Sequence, residues 1–146
     1  MEYPDYLQPV LSRINPEYGV RISCDEGWWK LVSICDKELS LLDPQYTIFQ
    51  IKEKFGGLRF YVTGTSDKNW ALIRNAEQKS YAVCEETGSE VEVGTWNNGW
   101  VRTICRKEAL RKFYDLSDKG QLDGKRFEDC WKPSEKSETI VTKKKK

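Results

Sequence analysis

The chain has 146 residues and a formal charge of +1 at neutral pH, with 32% charged and 12% aromatic residues, the composition of one soluble globular domain. At this length about two thirds of the unfolded surface is buried on folding, so a core forms without disulfides or a metal. There is no histidine, which excludes Ser-His-Asp and Cys-His catalysis, two-His metalloprotease helices and His-ligated zinc fingers built from this chain alone.

Leu7, Val10, Leu11 and Ile14 fall at i, i+3, i+4 and i+7, which predicts a short amphipathic helix over residues 5–14, ended by Asn15-Pro16. Val20, Ile22 and Cys24 alternate with Arg21 and Ser23, predicting a strand that stops at Asp25-Glu26-Gly27. Trp28, Leu31, Val32, Cys35, Leu39 and Leu42 keep helical spacing up to Asp43-Pro44, the longest early helix. Residues 46–55 and 58–62 read as two strands, and Gly56-Gly57 between them supplies the positive φ of a tight hairpin. Leu72, Ile73, Ala76, Ser80 and Val83 predict a helix reaching about Cys84. A second hairpin places Val91, Val93 and Thr95 on one face, turns at Asn97-Asn98-Gly99 and returns over Trp100 to Ile104. Ala109, Leu110, Phe113 and Tyr114 mark a fourth helix, and Leu122, Phe127, Cys130 and Trp131 are apolar anchors that dock the segment after it.

Five cysteines without a Cys-x-x-Cys pair, and an acidic N-terminus with no apolar stretch, are expected in a reducing, cytoplasmic chain with no membrane span. Residues 1–131 carry 18 cations against 21 carboxylates, a net −3, whereas the end of the chain is rich in lysine. Residues 133–146 hold too few large apolar groups to offset the entropy of ordering them and are expected to be a disordered, Lys-rich tail. The fold expected is a single α+β domain over residues 1–132, ordered helix, strand, helix, hairpin, helix, hairpin, helix.

The run Ile51 to Val62, with Lys52-Glu53-Lys54-Phe55-Gly56-Gly57-Leu58-Arg59-Phe60-Tyr61, the earlier Cys24-Asp25-Glu26-Gly27-Trp28 and the later Gly99-Trp100-Val101-Arg102-Thr103-Ile104-Cys105 resemble a family of small phage and prophage proteins. The likeness covers about residues 20–110. It implies a treble-clef-like sub-module over residues 84–114, a layout that in the family carries a Cys-x-x-Cys-Gly knuckle, a hairpin and two more zinc ligands at a helix start. The matching positions here are Cys84, Thr87, Cys105 and Glu108. A threonine hydroxyl is a poor zinc ligand at neutral pH, so a degenerate finger without zinc is expected, and no other cofactor.

Three surfaces are candidate sites. Lys52, Lys54 and Arg59, interleaved with Phe49, Phe55, Phe60 and Tyr61, form a basic aromatic hairpin that either clamps phosphates while rings stack on bases, or is simply a solvated face. At Gly27-Trp28-Trp29 only one indole fits the inward helical stripe. That leaves Trp29 partly outside as a contact anchor, or packed beneath the N-terminal helix. Trp96 and Trp100 flank the second turn, either as a docking knob or as a lid on the finger core. Catalytic pairings are weak: Asp25-Glu26 and Glu85-Glu86 are adjacent carboxylates that diverge, and Cys105 lies at a helix start, which lowers a thiol pKa, but has no imidazole to activate it. The resemblance to phage accessory proteins implies a non-enzymatic protein that binds and inhibits a host factor, such as an anti-defence inhibitor. The alternative is a nucleic-acid or nucleotide binder working through residues 52–59.

Overall fold

The computed structural model describes residues 2–134. It is a mixed α+β domain with two small antiparallel sheets, as the patterning predicts. The chain opens on a 3-10 turn, Asp5–Leu7, and helix α1, Gln8–Arg13, whose Pro9 sits in the first turn where its missing N–H costs nothing. Residues 20–24, expected to be a strand, make only a single parallel bridge, Ser23 to Lys52, so this segment edges a sheet without joining its ladder. Helix α2, Trp29–Leu42, follows the 3-10 turn Glu26–Trp28 and buries Val32, Cys35 and Leu39.

Strands β1, Thr47–Lys54, and β2, Gly57–Thr63, form the first hairpin. A bulge at Phe49 shifts the register between the pairs Ile48–Val62 and Gln50–Tyr61. The extra residue restores the phase, so that Ile48 and Ile51, three apart, both face the core with Leu58, Phe60 and Val62. The turn is Phe55-Gly56 rather than Gly56-Gly57: Lys54 pairs with Gly57, and Phe55 (φ 52°) and Gly56 (φ 83°) both occupy the left-handed region. Helix α3, Trp70–Ser80, ends four residues short of Cys84 and covers the open edge of β2. There the Glu77 carboxylate accepts the Phe60 N–H (3.0 Å) and the Ser80 hydroxyl accepts the Leu58 N–H (3.0 Å), which satisfies the donors an edge strand leaves unpaired.

A second core lies C-terminal to the first. Strands β3, Val93–Asn97, and β4, Val101–Cys105, are joined on the β3 side by β5, Trp131–Pro133, and backed by α4, Arg106–Asp118; a short helix α5, Phe127–Cys130, leads into β5. Val91, expected to share one strand face with Val93 and Thr95, lies before the strand and is exposed; Val93 and Trp96 are buried, and Thr95 is exposed. Gly94 has no room for a side chain: a Cβ there would lie 2.2 Å from the Lys132 carbonyl oxygen and 2.7 Å from the Trp131 indole. Cys84, Trp96, Ile104, Ala109, Cys130 and Trp131 belong to this core, so it extends past residue 114. Pro133 and Ser134, expected in the disordered tail, are instead placed along β3, where the Ser134 N–H donates to the Val93 carbonyl (2.9 Å). The rest of that tail, residues 135–146, lies outside the described residues.

The two cores are joined at residues 25–28 and 83–85. The Trp28 indole donates to the Val83 carbonyl (2.8 Å), and the Gly27 N–H to the Glu85 carbonyl (2.8 Å). Gly27 is required there, since a Cβ would lie 2.2 Å from the Cys84 carbonyl oxygen.

Candidate functional site

Alternation along the first hairpin sends its apolar residues inward and its cations outward. Lys52 pairs directly across the ladder with Arg59, and Gln50 with Tyr61. The bulge turns Phe49 onto the same outer face, where its ring stacks on Tyr61 with centroids 5.6 Å apart and planes 12° from parallel. Tyr18 leans on Phe49 from the loop after α1 at 5.8 Å. The Lys52 ammonium lies 5.9 Å from the Tyr61 ring centre, and Lys54 lies 5.7 Å from Phe55. Arg59 donates to the Leu58 carbonyl (3.1 Å) and to the Tyr81 hydroxyl (3.4 Å). The Tyr81 hydrogen bond raises the guanidinium pKa further, so this cation is fixed in place and permanently charged. Among the described residues no carboxylate pairs with Lys52, Lys54 or Arg59. The three predicted cations therefore share one face with an aromatic stack.

The tryptophans distribute differently from expectation. Trp29 is only 8% exposed: its ring packs on Tyr3 (5.3 Å) and its indole N–H donates to the Cys24 carbonyl (3.1 Å). Burial of both Trp28 and Trp29 is possible because a 3-10 turn precedes the helix and the N-terminal segment wraps over the second ring. Trp96 is 6% exposed in the second core, so neither ring is a surface anchor. Trp100 alone of the three is open, at 69%. Phe55, the left-handed turn residue of the first hairpin, is 74% exposed and stands at the tip rather than inside the strand as expected. The first tip rests on the middle of β4, where the Thr103 hydroxyl donates to the Gly56 carbonyl (2.5 Å).

Between the tips and residues 22–25 lies a polar cleft of about 330 Å³. Arg102 crosses it, bonded to Asp25 (2.7 Å), Glu85 (3.4 Å) and Glu86 (3.4 Å). Burial pushes the Glu85 carboxyl pKa up, against the lowering effect of the Asp25 N–H and Arg102. Glu85 and Glu86, expected to diverge, instead converge on one guanidinium because Arg102 reaches both, and Asp25 joins them there without its neighbour Glu26, an arrangement that joins the two cores.

The chain matches no family model, no curated protein and no solved structure.

Of the four positions expected to form the finger, Thr87, Cys105 and Glu108 line one groove, and Cys84 is buried with Cys105 in the second core. Cys105 occupies the N-cap position of α4 without a side-chain cap hydrogen bond, and burial raises its pKa rather than lowering it. As a donor set for zinc this is incomplete: besides the two thiols it offers a hydroxyl and a single carboxylate, and among the described residues no group of three or more His, Cys, Asp and Glu is placed to hold a metal. The other thiols are buried, with Cys35 pushed up to about 12, chiefly by desolvation. Among the described residues no helix is long and apolar enough to cross a membrane.

Proposed function

We propose that this chain is a binding protein that holds single-stranded nucleic acid on the outer face of the β1–β2 hairpin. The observation that carries the reading is the convergence of Lys52, Lys54 and Arg59, without carboxylate partners, on the face where Phe49 and Tyr61 stack. Cations spaced along a strand track a phosphate backbone, and flat rings give bases a sequence-tolerant platform. Phe55 adds a further exposed ring at the tip of the same hairpin. The test is fluorescence anisotropy with labelled single-stranded DNA and RNA across a salt series. Affinity should fall steeply with salt, and replacing the three cations by alanine should remove about 2 from the log–log slope, at ~0.7 per phosphate contact on a single strand. Salt-independent binding, or binding indifferent to the three replacements, contradicts the proposal.

A second reading, inhibition of a host protein as the resemblance to phage accessory proteins implies, is favoured by the exposure of Phe55 and Trp100 at the turns of the two hairpins. Large exposed rings are common interface anchors. Under it, a protein partner is lost on Trp100→Ala or Phe55→Ala and retained, at all salt concentrations, when the three cations are removed.

A further inference from the structure

A pocket of about 560 Å³ opens where α2, the end of α3 and residues 87–90 meet, and it shares no residue with the outer face of the first hairpin. Its more buried lining is aliphatic, Leu31, Ala82 and Val83, and Tyr6 and Ile34 stand exposed at its rim. An apolar hollow with a few charged groups is the ordinary form of a small-molecule site. The charges are arranged by the elements that carry them. Helices α2 and α3 run antiparallel: the Trp28 indole meets the Val83 carbonyl at one end (2.8 Å), and the Cys35 thiol meets the Leu72 carbonyl further on (3.9 Å). That order brings Lys30, in the first turn of α2, and Lys79, in the last turn of α3, to the same end of the helix pair, and both line the pocket. Glu26, from the 3-10 turn before α2, borders an adjoining hollow with Tyr6 and Thr87, and Glu90 comes from the loop before β3. Among the described residues none of these four side chains is in an ion pair. Two cations and two carboxylates thus line one pocket without neutralising each other, and an occupant that answers both must carry its anion and its donors at separate ends of an apolar body.

We infer that this pocket binds a nucleoside monophosphate. The phosphate carries close to two negative charges at neutral pH and takes Lys30 and Lys79 as its counter-charges. The flat base covers the aliphatic lining, with the Tyr6 ring beside it, and its N–H groups donate to Glu26 or Glu90. Guanine suits this best, because its N1–H and N2–H lie side by side and one carboxylate accepts both. A short peptide also has opposite charged ends, but its single carboxylate leaves one lysine unmatched, and its amides would lie on an aliphatic surface that offers them no partner. A triphosphate brings more negative charge than two lysines answer, in a pocket that also holds two carboxylates, so the single phosphate is preferred.

The test is isothermal titration calorimetry of the full chain with guanosine 5′-monophosphate, guanosine and inorganic phosphate. The monophosphate should bind, and each fragment about tenfold or more weakly than it, since a fragment engages only one end of the pocket. Lys30→Ala combined with Lys79→Ala should weaken the monophosphate about a hundredfold, roughly tenfold for each charge-assisted contact. Both positions are exposed, so circular dichroism should show an unchanged fold. Lys37→Ala, exposed on α2 but outside the pocket, should bind the monophosphate as the unmodified protein does. Glu26→Gln combined with Glu90→Gln should weaken the monophosphate without weakening inorganic phosphate, which separates recognition of the base from attraction of the anion. No binding by the unmodified protein, binding that survives the double lysine replacement, or tighter binding of guanosine triphosphate than of the monophosphate overturns the proposal.

Discussion

The two hairpins are built from similar materials and put them to opposite uses. In β1–β2 the aromatic residues Phe49 and Tyr61 stand on the outer face beside three cations, and the inner face is aliphatic apart from Phe60. In the sheet of β3, β4 and β5 the rings go inward: Trp96 and Trp131 fill a small core, with the Trp131 indole over Gly94 and its N–H donating to the Ile104 carbonyl (3.0 Å). The first hairpin can leave its rings outside because α2 and α3 supply the core that covers its inner face. The second has one long helix for cover, and its indoles make up the volume. Aromatic content alone therefore does not mark a binding surface; the side of the sheet does.

The largest expected effect lies in the second hairpin. Trp96→Ala should cost about 3–5 kcal/mol by chemical denaturation, as for a large ring removed from a packed core, whereas Trp100→Ala should stay within ~0.5 kcal/mol. Equal effects would dissolve the distinction between buried and exposed indoles. Next comes the seam between the cores, where Gly27→Ala should cost about 3 kcal/mol because the added carbon meets backbone carbonyls rather than flexible side chains. A near-neutral result would mean that the turns at 27 and 84–85 move apart freely.

The first core contains a pH-dependent element. Asp36, buried, takes hydrogen bonds from Arg13 (2.7 Å) and from the Tyr46 hydroxyl. Burial, then the Asp36 carboxylate, raise the Tyr46 pKa well above the ordinary phenol value. With the folded pKa above the unfolded one, Tyr46 contributes stability that is complete below about pH 10 and is lost as pH rises further. Denaturant midpoints measured from pH 8 to 11 should fall with pH, and Tyr46→Phe should flatten that fall. An unchanged slope would show that Tyr46 ionises equally easily in both states.

A smaller change separates the tip from the face. Phe55 holds a left-handed conformation that costs an ordinary side chain roughly 1–2 kcal/mol and that asparagine adopts more readily. Phe55→Asn should therefore raise stability, by up to about 1 kcal/mol. A loss of stability would mean that the ring packs on the body.

Much of this was legible in the sequence. Helical spacing located α2, α3 and α4, and alternation in Leu58, Phe60 and Val62 assigned the inner face of the first hairpin and hence the outward cations. The parts that were not legible depend on contacts distant in sequence. The bulge at Phe49 resets which residues of β1 face inward, and no local pattern marks it. Trp29 is buried by Tyr3, a residue from the other side of α1. Residues 20–24 alternate like a strand but lie where only one bridge forms. The pairing of Pro133 with Gly94 extends order past Trp131, since backbone hydrogen bonding along β3 does not depend on side-chain hydropathy.

The central claim is that the outer face of the first hairpin is the binding surface, and backbone and side-chain NMR shifts on titration with a single-stranded oligonucleotide test it most directly. The account predicts saturable shifts centred on Phe49, Lys52, Arg59 and Tyr61, fading toward α4, with the Trp96 indole signal unmoved. Shifts confined to Arg102 and the cleft beside it, or no saturable shift at low salt, would contradict it.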